Sequence, residues 1–150
     1  MRTIKYILGI LFLLNISCCV NQKKKDEEQI KNTVKEYLKA VKENDLQKVY
    51  GLIDDSDTFF GGIQGEFYFL KKNYDKINPN NILLKNIKVK DTVVTFAQNK
   101  QKYVQYVIKK ENDSNYLKKP LIITFMFYKP VGYNKIYNSV ILQNHIGWDK

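Results

Sequence analysis

EEQIKNTVKEYLKAVKENDLQKVYGLID, residues 27 to 54, decides how the rest of the chain is read. Ile30, Val34, Tyr37, Leu38 and Val41 fall at i, i+4, i+7, i+8 and i+11, which is one apolar stripe along a helix. Lys31, Lys35, Lys39 and Lys42 lie off that stripe. Asn44 and Asp45 interrupt the pattern and offer a cap for a second helix, with Leu46, Val49, Tyr50 and Ile53 facing inward. Asp54, Asp55, Ser56 and Asp57 then read as a loop, and Gly61, Gly62 and Gly65 as turns around Phe59 and Phe60. The spacing of Phe67, Leu70, Tyr74 and Ile77 predicts a third helix from Glu66, stopped by Pro79.

Beyond Pro79 the pattern changes to strands. The segments 82–90, 93–108, 121–128 and 136–148 are rich in β-branched and aromatic residues. Asn112 to Asn115 and Pro130-Val131-Gly132 punctuate them as turns. LIITFMFY, residues 121 to 128, is apolar on both faces except at Thr124 and is expected to be a central strand. In the last strand the alternation puts Ile136, Val140, Leu142, Ile146 and Trp148 on one face, with Tyr137, Ser139, Gln143 and His145 on the other. Ile30, Val34 and Leu38 are expected to pack on the face that holds Val140, Leu142 and Trp148. Helices first and antiparallel strands afterwards make an α+β fold in one domain, residues 26–150.

The helical pair with its break at Glu43-Asn44-Asp45, followed by this strand order, resembles the nuclear transport factor 2-like superfamily, a cystatin-like α+β architecture, over most of that domain. The resemblance implies helices packed in the concavity of a curved antiparallel sheet, leaving a conical pocket. It implies no single function, because the superfamily mixes enzymes with binding modules.

Upstream of the domain, LLNISCCVNQKKKDEE (13–28) places Cys18 and Cys19 at the end of a greasy run. Arg2 and Lys5 precede an apolar stretch from Tyr6 to Ile16, the layout of a secretory signal. That stretch falls short of the roughly 20 apolar residues a membrane span needs. Ser17-Cys18 resembles the lipobox of bacterial lipoproteins, whose cysteine is acylated and becomes the new N-terminus. Residues 1–17 are then the signal peptide and 18–25 the lipidated terminus and tether. Lipidation at Cys19 is the alternative, with Ile16 in the aliphatic position and Ser17 and Cys18 as the small residues. A bridged Cys-Cys neighbour pair would form a strained ring, and with 2 cysteines in the chain there are none to complete a metal site or a disulfide scaffold. KKKDEE, residues 23 to 28, is a solvated charge run that suits a tether. It also resembles the lysine-then-acids signal that sends some lipoproteins to the outer cell surface. The same acids suit the first turn of a helix. The expected location is the bacterial cell envelope, anchored to a membrane, in the outer membrane and at its surface.

Charge supports binding of a diffuse kind rather than base reading. The formal net charge is +10, and setting aside Arg2 and Lys5 leaves only lysines as the cations. Without arginine the planar fork that reads phosphates and guanine edges is missing, so no nucleic-acid partner is expected.

Catalytic candidates are few. None of the 15 acidic residues falls inside the expected strands, so a buried general base has no evident owner. His145, the 1 histidine, is a weak catalytic candidate on the last strand with no carboxylate in view to orient it. Asp54, Asp55 and Asp57 lack the alternating ligands and closing glutamate of a calcium loop. No metal, cofactor or catalytic set is therefore expected. Aromatics such as Phe59, Phe67, Tyr74, Tyr103, Tyr106, Phe125 and Tyr137 suit either a core or an apolar ligand pocket. The expected function is a lipid-anchored, non-catalytic module binding a small apolar ligand or an envelope protein. The alternatives are a small-molecule isomerase or hydrolase, and a structural or immunity-type partner with a filled cone.

Overall fold

The apolar stripe of residues 30–41 forms as a helix and is the axis of the core. In a computed structural model, which describes residues 2–94, 99–108 and 121–142, it lies within α1 (Arg2–Glu43). Ile30, Val34, Tyr37, Leu38 and Val41 are all fully buried. Asn44 takes a left-handed φ of 61° and ends the helix. Asp45 then caps α2 (Leu46–Leu52), its carboxylate accepting from the Lys48 amide at 2.9 Å.

The helix α3 (Phe60–Lys72) starts six residues before the expected Glu66. Gly61, Gly62 and Gly65 lie inside it rather than in turns. Each mid-helix glycine costs about 1 kcal/mol against alanine. Burial of Ile63, Phe67 and Leu70 at i, i+4 and i+7 on one side of α3 offsets this.

Among the described residues there are four strands, β1 (Lys90–Val94), β2 (Asn99–Val107), β3 (Ile122–Phe127) and β4 (Asn138–Leu142), antiparallel in the order β1-β2-β3-β4. Segment 82–90, expected as a strand, instead starts in two 3₁₀ turns, Pro79–Ile82 and Leu84–Asn86. Local asparagine bonds favour them: Asn80 N donates to Asn78 Oδ1 at 3.0 Å, and Asn86 Nδ2 to the Asn80 carbonyl at 2.7 Å. The expected strand 93–108 is two, with Val94 paired to Asn99. The intervening Thr95-Phe96-Ala97-Gln98 carries no glycine or proline to announce a reversal. Asp91 is therefore an acid within a strand, ion-paired to Lys102 at 2.6 Å with its side chain exposed.

As its apolar run predicts, β3 is an inner strand, and all six of its residues are buried. Val104 and Tyr106 of β2 and Ile123, Phe125 and Phe127 of β3 share the helix-facing core with the α1 stripe. Phe125 meets Tyr37 edge-on at 4.9 Å and Tyr106 at 6.3 Å. Thr33 ties α1 to the turn before β4 by donating to the Tyr133 carbonyl at 2.9 Å.

The last strand turns the opposite way from its expected alternation. Phe125 pairs with Ser139 and Ile123 with Ile141, so Ser139 and Ile141 face the helices. Val140 pairs with Thr124 and lies on the other face, and Leu142 pairs with Ile122. Ile136 still reaches the core, through an isolated parallel bridge to Ile53. The bend at Tyr137 separates that bridge from β4 and shifts the parity by one, which exchanges the two faces. Gln143, His145, Ile146 and Trp148, and the expected turn at 112–115, lie outside the described residues.

Lys23 to Glu28 belong to α1 rather than to a loose tether or a helix's first turn. Lysine and glutamate are good helix formers, and Gln22 donates to Asp26 at 2.7 Å one turn on. Among the described residues, no helix is long and apolar enough to cross a membrane.

Candidate functional site

Among the described residues, a cleft at one end of the fold combines volume with acidic groups. It encloses about 640 Å³ between α3, the segment 53–55 and β4. Ile53, Phe59, Ile63, Tyr137, Val140 and Ile141 supply apolar wall, and Asp54, Asp55, Glu66, Asn138 and Ser139 the polar groups. The lining runs unbroken from Tyr137 to Ile141. Successive strand residues point to opposite faces, so the cleft sees the backbone edge of β4 as well as its side chains.

Glu66 is the chemical centre of this cleft. It lies one turn from Ile63 and Leu70 on the inward side of α3 and is half-buried. The fully buried Tyr37 hydroxyl donates to its Oε1 at 2.9 Å, and Ser139 hydrogen-bonds the same carboxylate. One side chain thus joins α1, α3 and β4. Burial raises the Glu66 pKa above its ordinary 4.5, against the opposing pull of the Ser139 and Tyr37 hydrogen bonds. Tyr37 is pushed well above the usual tyrosine range, first by burial and then by the neighbouring carboxylate. It stays a hydrogen-bond donor across physiological pH. A carboxyl so placed can hold a proton at higher pH than a solvated one, and either donate it to an acceptor or attract a cation when ionised.

The acid missing from the sequence reading is therefore Glu66, carried by a helix and not a strand. Its signal was its position three residues after Ile63 and four before Leu70. That spacing is visible only if the helix is extended back through the glycines. Asp54 and Asp55 of the acidic loop line the cleft, and Asp57 is exposed outside it. Asp55, with a left-handed φ of 50°, accepts from Thr58 Oγ1 at 2.7 Å. Among the described residues, no group of three or more His, Cys, Asp or Glu has the geometry to hold a metal ion. Cys18 and Cys19 fall in the N-terminal part of α1. His145, the weak catalytic candidate, lies outside the described residues.

The aromatics divide between core and cleft. Phe67, Tyr103, Tyr106, Phe125 and Phe127 are buried, while Phe59 and Tyr137 line the cleft and remain 62% and 42% exposed. Comparison with known proteins finds no matching family model, no similar curated protein and no similar solved structure.

The Glu66 environment predicts a pH dependence. Its folded-state pKa lies above the unfolded one, so the folded state binds the proton more tightly. The stability this contributes is full below about pH 4.5 and is lost as pH rises through the raised value. Glu66→Gln keeps an acceptor for Tyr37 and removes the titration. The variant should therefore gain stability relative to the parent as pH rises through that window. Urea unfolding of both proteins between pH 4 and pH 8 measures this, and a pH-independent difference would show that the carboxyl is not desolvated.

Proposed function

We propose that this chain is a lipid-anchored lipoprotein of the bacterial cell envelope whose domain binds a small, largely apolar ligand in the cleft beside Glu66. The cleft itself carries the reading. Its 640 Å³ falls in the range of small-molecule sites, about 300–1,000 Å³, and it joins apolar walls to a few convergent polar groups. An open cleft of this size favours a ligand over the filled interior of a purely structural or immunity-type partner.

The cone-shaped fold of the nuclear transport factor 2-like superfamily accords with three helices packed on a four-stranded antiparallel sheet. In such a cone the helices and sheet diverge at one end, which suits a cleft bounded by α3 and β4. The lipobox-like Ser17-Cys18 supports the anchor, with acylation at Cys18 and Cys19 as the alternative. The membrane is then the first partner, through the lipid. The lysine-then-acids run after it supports an outer-membrane, surface-facing location.

An enzymatic reading draws on Glu66 in place of His145. A half-buried carboxyl with a raised pKa, bonded to Tyr37 and Ser139, suits a general acid or base in an isomerase or hydrolase of small ring compounds.

Filling the cleft tests the binding function. Gly62 lines it, and a Cβ added there meets nothing within 4 Å. Gly62→Phe should leave the fold intact and abolish binding of any hit from a screen of small apolar compounds against the full chain in lipid nanodiscs. Hits unaffected by Gly62→Phe would place the binding elsewhere. Turnover of a hit by the parent, lost in Glu66→Gln, would convert the module into the enzyme.

A further inference from the structure

The charge inside the cleft runs against the charge of the whole protein. The chain carries 25 basic and 15 acidic residues, yet among the described residues the cleft is lined by Asp54, Asp55 and Glu66 and by no lysine or arginine. An anion entering it would meet three carboxyl groups and no counter-charge among the described residues. A neutral ligand would use none of their field. A cation is attracted to all three.

The walls say which kind of cation. The three acids are not arranged to hold a metal ion. Compact inorganic ions require converging oxygens, whereas a bulky organic cation spreads its charge over a large, weakly hydrated surface. Phe59 and Tyr137 line the same cleft as the acids and are exposed, and the Tyr137 ring also packs on Tyr128 at 5.4 Å. Aromatic faces attract ammonium groups through the ring quadrupole, and quaternary ammonium is held in this way. Ile53, Ile63 and Ile141 offer surface for an apolar remainder.

We propose that the ligand of this cleft is an amphipathic organic cation, a substituted or quaternary amine with an apolar body. The ammonium sits among Glu66, Asp55 and the Phe59 and Tyr137 rings, and the body lies along the isoleucines. This rests on the cleft being a small-molecule site and names the ligand class it takes. A cation beside Glu66 favours the ionised carboxylate, while Asp54 and Asp55 on the 53–55 segment add attraction and Tyr37 on α1 keeps its hydrogen bond.

Two probes of one shape isolate the charge: benzyltrimethylammonium and its neutral carbon isostere, neopentylbenzene. Each is titrated into the full chain in phosphatidylcholine nanodiscs, with binding read from the methyl signals of Ile63 and Ile141. The cation should bind about tenfold or more tightly than the isostere. Glu66→Gln should remove most of that preference, through loss of affinity for the cation. Asp55→Asn, at an exposed site whose left-handed backbone suits asparagine, should reduce it by a smaller factor. Equal affinities for the two probes would overturn the cation and leave the small-molecule cleft standing. Silence of both isoleucines with both probes would overturn the two together.

Discussion

Phe125→Ala should destabilise the domain by about 3–5 kcal/mol, the range for emptying a fully buried aromatic site. Phe125 is 0% exposed at the middle of the inner strand β3. Its ring meets Tyr37 of α1 and Tyr106 of β2, so removing it opens a void shared by the helix layer and the sheet. Tyr37 is not free to collapse inward, because its hydroxyl is held by its bond to Glu66. Urea unfolding should show a lower midpoint with an unchanged slope, and thermal unfolding a drop of roughly 10 °C or more. Phe59→Ala, at a 62% exposed ring, is the control and should stay within about 0.5 kcal/mol of the parent. A loss at Phe125 no larger than the control's would mean that helices and sheet do not share one core.

Cys18→Ser should abolish lipidation. Each buried CH₂ of an acyl chain contributes about 0.8 kcal/mol, so a multiply acylated terminus holds a protein to a bilayer by many orders of magnitude in partition. Serine offers no thiol to acylate. The variant should keep residues 1–17 and lack the lipid mass, while the parent loses the former and gains the latter. Intact-mass measurement after membrane fractionation reads both. Lipid on Cys19 would move the anchor by one residue, and an unlipidated parent would remove the lipoprotein reading altogether.

What the residues disclosed depends on how local their cause is. The stripe Ile30-Val34-Leu38, the Asp45 cap and the inner strand β3 are written in short-range pattern, and each forms as the pattern implies. The first half of α3 is held by packing that outweighs its glycines, so local propensity misplaces its start. That displaced start hid Glu66, whose inward position is a property of the longer helix. The faces of β4 were lost for a different reason. A bend at one residue, Tyr137, changes the direction of the side chains from Asn138 to Ile141, and no glycine or proline marks it. The cleft assembles from these two segments, so the site was the least legible part of the chain.

The continuity of α1 through Lys23, Lys24 and Lys25 has a geometric consequence for life at a surface. A disordered leash would let the domain wander and tumble above the lipids. A helix rises about 1.5 Å per residue, so with the lipid on Cys18 the domain's first partly buried residue, Asp26, stands only about 12 Å from the acylated end. With that anchor the standoff would be short. On the proposed lipid anchor, the cleft would ride at a short, helix-set height over the bilayer, close to the headgroups rather than out in open water.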